Sequence, residues 1–270
     1  MWCLRMSPSE LPHVTFDTNV CNFINDPNKP FSPVDPADAT AVRDAVSGGR
    51  IKGFISEASL FVECLSFSDK LAYLAVAGTR GQRPRPDPLT VAMFKDLESL
   101  GVKLLHAPLI GAEIFIEGFA WAQDDRFSQH DRLARFFSFI EPLPRHKPLE
   151  TYAKALVPAP RPHRVVNVTK SGFGVPIPAG WAGAIKQAWD NDQAGRKKLE
   201  KDVRPDIGEW CDGLIVGSHF AYGNDVFCTT DRGGNAGSRS LLHPNNRPAL
   251  EAQGIKLMTP AELVGHYSLR

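Results

Sequence analysis

Long apolar runs are missing from this 270-residue sequence. Nowhere do about 18 apolar residues follow one another, so no transmembrane helix is expected. Cysteine is sparse: the five (Cys3, Cys21, Cys64, Cys211, Cys228) are widely separated, and none forms a Cys-x-x-Cys pair. That argues against a zinc ribbon and a disulfide framework, and the five read as free thiols in a reducing cytoplasm. An excess of one charge is also missing, since 31 Lys and Arg face 30 Asp and Glu. This balance excludes a uniformly basic nucleic-acid-coating protein or a polybasic membrane binder, but not a local basic patch. The opening Met1-Trp-Cys-Leu-Arg-Met-Ser-Pro has neither an apolar h-region nor a small-residue cleavage site, so no secretory signal is expected and the cytoplasm is the predicted location. No Gly-x-Ser-x-Gly or Cys–His catalytic signature occurs. Lys170-Ser-Gly-Phe-Gly lacks the order of a phosphate loop, in which the glycines precede the Lys.

What is present is the composition of an ordinary folded protein, 43% hydrophobic and 23% charged, with enough apolar residues for a sizeable core. His13–Phe16 reads as a short strand. A helix follows Pro36, with Ala37, Ala41, Val42 and Ala45 at helical spacing, and Gly48-Gly49 stops it. Ile51–Ser56 suits a second strand, Glu57–Phe67 a helix, and Val102–His106 a third strand. Ile207–Tyr222 reads as a helix, followed by strands at Asp225–Thr229 and Gly254–Met258. Strands alternating with helices predict an α/β fold with a parallel central sheet covered on both faces. The middle differs. Residues 111–142 carry Phe and Ala at helical spacing, and the next forty or so hold Pro144, Pro148, Pro158, Pro160, Pro162, Pro176 and Pro178, too many for regular structure. Lys197-Lys198 and their acidic neighbours suit a solvated helix.

Four carboxylates stand where such a sheet would gather them. Asp17 follows the first strand and Asp231 the Val226–Thr230 strand, and the carboxyl ends of parallel strands form the ligand crevice of these folds. Asp212 shares a helical face with Ile215, Val216 and His219, where an unpaired charge is costly. Glu63 lies between Val62 and Cys64 in the helix after the second strand. A divalent cation would satisfy several such groups at once, and hard oxygen ligands select Mg²⁺ or Mn²⁺. Taken singly, Asp17 and Asp231 also suit turn or cap residues, and Glu63 a partner for a surface Lys.

These segments together resemble the PIN-domain ribonucleases. Phe16-Asp17-Thr18-Asn19-Val20 looks like that family's opening strand. Ile55-Ser-Glu-Ala-Ser-Leu-Phe-Val-Glu63-Cys-Leu is similar to its second motif, and Asp212-Gly-Leu-Ile-Val-Gly-Ser-His to its acidic helix. Cys228-Thr-Thr-Asp231-Arg resembles its Thr-x-Asp strand end, and Lys256-Leu-Met-Thr-Pro-Ala-Glu-Leu its last strand. The resemblance implies a three-layer α/β/α PIN-like fold over a single domain, 1–270, with a core at about 11–110 and 205–265 and a mostly helical, Pro-rich insertion at about 111–204. It further implies a metal-dependent endoribonuclease in which Asp17, Glu63, Asp212 and Asp231 hold one or two Mg²⁺ or Mn²⁺ ions, directly or through water. Thr18, Asn19 and Thr229 would orient these acids by hydrogen bonds. The alternative is an inactive PIN-fold scaffold that binds RNA or protein. By resemblance, a homodimer and a protein inhibitor are partners to look for besides RNA, although the long middle segment departs from the compact toxin-type members.

An acidic site repels phosphate, so a nuclease needs cations nearby. Between Leu143 and Ser171 lie Arg145, Lys147, Lys154, Arg161, Arg164 and Lys170, with His146 and His163, against Glu150 alone. Arg145, Lys147, Arg161, Arg164 and Lys170 are the predicted nucleic-acid contacts, and Arg80, Arg83 and Arg85 form a second small set. The competing account is that these cations solubilise a proline-rich loop. Asp206 and Glu209 fall at i−6 and i−3 from Asp212, a spacing that would let one of them reach the cluster rim, while solvated helix-start acids are the simpler account of both. His130-Asp131 lacks further histidine ligands and reads as structural. The helical spacing of Phe115, Phe119, Trp121, Phe136, Phe137 and Phe139 suits a core or a partner-facing surface better than base stacking.

Overall fold

The computed structural model describes residues 11–30, 32–75, 84–107, 119–123, 126–140, 179–232 and 240–270. Five parallel strands form one sheet in the order β3-β2-β1-β4-β5. They are β1 (His13–Phe16), β2 (Lys52–Ser56), β3 (Lys103–Leu105), β4 (Val226–Cys228) and β5 (Leu257–Met258). The α/β class with a parallel sheet is therefore as predicted. Helix α1 (Thr18–Asn25) follows β1, α2 (Pro36–Ser47) precedes β2, α3 (Phe67–Ala75) and α4 (Pro88–Ser99) precede β3, and α5 is Gln129–Ile140. The remaining helices are α6 (Ala179–Asn191), α7 (Arg196–Tyr222), α8 (Arg247–Ala252) and α9 (Pro260–Tyr267).

Side chains alternate across a strand, so neighbours in β1 show which helices cover which face. Thr15 Oγ1 lies 3.0 Å from His219 Nδ1 of α7. Phe16 points to the other face, where a Cβ added to Gly53 would come within 3.0 Å of Phe16 and 3.3 Å of Val46 of α2. Helices α2 and α7 thus bury opposite faces, and Val14, Phe16, Val42, Ile55, Leu214 and Phe227 lie in the core between the layers.

Three segments depart from the sequence reading. The Glu57–Phe67 helix is two pieces: a π-helical turn, Ser59–Glu63, and then α3. The break falls at Ser66, which exchanges hydrogen bonds with Asp69 (Ser66 Oγ to Asp69 Oδ2, 2.7 Å; Asp69 N–H to Ser66 Oγ, 3.2 Å) and so starts a new helix. Second, Phe119–Ala122 is extended rather than helical. Ala122 N–H donates to Leu104 O (2.8 Å) and Leu104 N–H to Ala120 O (2.9 Å), so this segment satisfies the open edge of β3. The helical spacing is realised only from Gln129 on, as α5. Third, Lys197-Lys198 and Asp212 share one 27-residue helix, α7, about 40 Å long at ~1.5 Å per residue. It runs through Pro205, forgoing one backbone hydrogen bond there. The segment 143–171, with Arg145, Lys147, Arg161, Arg164 and Lys170, lies outside the described residues, as do Arg80 and Arg83.

Candidate active site

All strands run the same way, so their carboxyl ends share one edge of the sheet. Asp17 sits at that edge, its N–H extending the ladder to Cys228 O at 2.9 Å. It is also the N-cap of α1, with Oδ1 accepting the Thr18 N–H at 2.7 Å. The capping account of Asp17 therefore holds. Its other oxygen, Oδ2, accepts from Asn19 Nδ2 at 2.7 Å and from Thr229 Oγ1 at 2.6 Å. Asn19 Oδ1 in turn accepts the Thr230 N–H at 3.2 Å, and Thr229 Oγ1 accepts the Asp231 N–H at 2.9 Å. Asp-Thr-Asn at the end of β1 and Thr-Thr-Asp at the end of β4 are thereby interlocked.

Thr18 Oγ1 donates to Glu63 Oε2, tying the π-helical turn to the start of α1. A π turn places one more residue per turn than an α turn before the chain comes round, and such turns recur at functional sites. Asp212 projects from α7 toward this group and, among the described residues, makes no hydrogen bond. Asp17 is fully covered, whereas Glu63, Asp212 and Asp231 keep part of their surface open to solvent.

Asp17, Glu63 and Asp212 feel one another and the charge of Asp231. Burial lifts Asp17 from 3.8 to about 6, against the lowering effect of its three donors, and the charge of Asp231 adds to the rise. Burial and then the charge of Asp17 lift Glu63 from 4.5 to about 8, with Lys70 and the Thr18 hydroxyl pulling the other way. Asp212 is raised well above an ordinary aspartate by burial first, then by Asp17, Glu63, Glu209 and Asp231. Four carboxylates from four parts of the chain thus share one electrostatic environment. Two thiols lie within reach of the cluster's charge: burial pushes Cys21 up and Cys64 to about 12, so both stay protonated and neutral.

No family model, curated protein or solved structure matches the chain. The site is therefore read from its own geometry and chemistry. Its donors are hard oxygens carrying repelling charge, which suits Mg²⁺ or Mn²⁺. Their present positions are less convergent: among the described residues, no group of three or more His, Cys, Asp or Glu side chains is set to hold a metal ion. The carboxylates share a field without sharing a point.

One contributor escaped the sequence reading. Lys70, on α3, supplies the positive charge that partly offsets Glu63; its proximity depends on the break at Ser66, which apolar spacing does not reveal. Of the two acids upstream of Asp212, Glu209 is the one that reaches the rim: its charge acts on Asp212, and its Oε2 accepts the Leu241 N–H at 2.8 Å. The Asp206 side chain is outside the described residues. His130 is exposed, and Asp131 exchanges hydrogen bonds with Ser128 to cap α5, which accounts for that pair without a ligand.

Proposed function

We propose that this chain is a PIN-like, Mg²⁺- or Mn²⁺-dependent endoribonuclease. The observation that carries the reading is the gathering at one sheet edge of Asp17, Glu63, Asp212 and Asp231, drawn from positions up to 214 residues apart in sequence, with the first three raised by burial and by one another's charge and that of Asp231. Like charges held together without enough protein cation are costly, and a bound cation offsets that cost. In this reading the four acids hold the ion or ions. Asn19 and Thr229 fix the Asp17 carboxylate through its Oδ2, and Thr18 holds Glu63 until metal arrives. The metal supplies a water of lowered pKa and neutralises charge on the phosphate. The half-open rim of Glu63, Asp212 and Asp231 leaves a phosphodiester room to approach. The resemblance in motif order supports RNA as the substrate, and the parallel α/β sheet agrees with a three-layer PIN-like arrangement.

The test is incubation of mixed RNA with the purified protein and Mn²⁺ or Mg²⁺, beside an Asp17→Asn, Asp212→Asn double variant. Cutting by the wild type alone, leaving 5′-phosphate and 3′-hydroxyl ends, supports the reading; equal cutting by both refutes it. A second reading, a PIN-fold scaffold that does not cut, is favoured by one observation: among the described residues, no three acids stand ready to share an ion. Calorimetry with Mn²⁺ on the wild type and Asp212→Asn separates the two, since a scaffold takes up little metal at this site.

A further inference from the structure

The same sheet edge carries an aromatic arrangement that the acidic site does not use. His106 directly follows β3, and its ring stacks on that of Trp121, with centroids 3.9 Å apart and planes 6° from parallel. Trp121 is half-buried against the core, while 54% of the His106 side chain is exposed. The ring face turned away from Trp121 is therefore open to solvent.

The pair is held from several directions. The two hydrogen bonds between Leu104 and the Ala120–Ala122 segment fix Trp121 beside β3. The His106 N–H donates to Tyr222 Oη at 3.3 Å. Glu57, buried at the end of β2, accepts the Ala107 N–H at 2.6 Å and keeps the same Oε1 at 3.8 Å from His106 Nδ1. One buried carboxylate thus anchors the backbone beneath the imidazole and lies beside its ring. Two residues before Trp121, the Phe119 ring is covered by Lys95, whose Nζ lies 3.9 Å from its centre and is paired with Glu98 Oε2 at 2.8 Å. A rigid, exposed aromatic ring has the chemistry of a single-strand stacking platform.

Its position supports that use. β3 and β1 are separated by β2 in the sheet. At ~4.8 Å per strand, the backbones of His106 and Asp17 lie about 10 Å apart along the edge. We propose that His106, backed by Trp121 and Glu57, stacks an unpaired nucleobase of a single-stranded RNA whose phosphodiester lies at the acidic cluster. This rests on the ribonuclease reading for its substrate and extends it to a preference for single strands.

The test uses a 5′-labelled single-stranded 12-nucleotide RNA and fluorescence anisotropy, with Asp212→Asn as the parent so that the probe survives. His106→Ala should weaken binding by ~5- to 100-fold, the range for loss of one stacked base, and His106→Phe should keep it near the parent. Replacing the bases one at a time by abasic residues should weaken parent binding at one position, with no further loss there in His106→Ala. Equal affinity of His106→Ala and parent, a flat abasic series, or no measurable binding by the parent overturns the proposal. A shelf that serves a protein partner also gives a flat series. Wild-type protein that cuts RNA with a flat series leaves the nuclease reading standing without the shelf. A clear abasic position in a protein that neither cuts nor takes up Mn²⁺ leaves the shelf without the nuclease.

Discussion

Asp212→Asn should make the metal-free protein more stable at pH 8 while removing its response to metal. The carboxylates set the sign. Glu63, at about 8 in the fold against 4.5 ordinarily, gives stability that is complete below pH 4.5 and lost as pH rises through 8. Asp17, at about 6 against 3.8, acts likewise over a lower window. His219 opposes both at acid pH, because burial holds it at about 3 against 6.5, so its contribution is lost as pH falls below 6.5. The informative range is therefore pH 6.5 to 8. A carboxyl titrating near 8 keeps its proton at the lower limit and half of it at the upper, which integrates to about 1.5 kcal/mol. Partial exposure of Glu63 reduces this to ~1 kcal/mol, or about 2–4 °C in Tm for a chain of this size. Asp212 adds loss in the same direction. Neutralising it leaves the volume unchanged and breaks no hydrogen bond, so Asp212→Asn should flatten the pH slope and melt higher than wild type at pH 8. Saturating Mn²⁺ should then raise the wild-type Tm, by ~1.4 kcal/mol of stability at ten times its Kd, and leave the variant nearly unmoved. Thermal melts with and without Mn²⁺ measure all of this. A wild type whose Tm is flat from pH 6.5 to 8, or a variant that melts lower at pH 8 and gains as much from Mn²⁺, refutes the reasoning.

Thr229→Val removes a donor to Asp17 and the acceptor of the Asp231 N–H; RNA cleavage should fall ~10- to 100-fold with a stability loss of about 1–3 kcal/mol, read by initial rates and urea melts. Two glycines of α7 should respond oppositely to alanine. A Cβ on Gly217 would come within 2.9 Å of Phe136 on α5, so Gly217→Ala should cost ~1–3 kcal/mol. Gly208 has nothing within 4 Å of that position, so Gly208→Ala should gain up to ~1 kcal/mol in the same melts.

The strands were legible because each is a short β-prone run bounded by turn residues, and a parallel sheet buries such runs on both faces. Asp17 and Asp231 were legible as strand-end residues, and Asp212 through its apolar helical neighbours. The interlock itself was not, since nothing local links Asn19 to the backbone of Thr230 across 211 residues. Helix α4 carried a readable start that the sequence reading passed over: Asp87 caps it, with Pro88 in its first turn. The break at Ser66 had a local signal too, a Ser three residues before an Asp, but the apolar spacing continued through it and prevailed. Trp121 was assigned to a helix because aromatic spacing cannot reveal a neighbouring strand's open edge.

The interlock of Asp17 with Thr229 joins groups 212 residues apart, and this has a consequence during synthesis. At roughly 5–20 residues per second, a ribosome needs roughly 10–40 s to travel from one to the other. Until residue 212 is made, the emerging chain holds Asp17 and then Glu63 but neither Asp212 nor Asp231, and until Thr229 is made Asp17 lacks the hydroxyl that holds it. An enzyme that cuts RNA would thus be made beside its own messenger in a silent form, and would become competent only when β4 docks against β1.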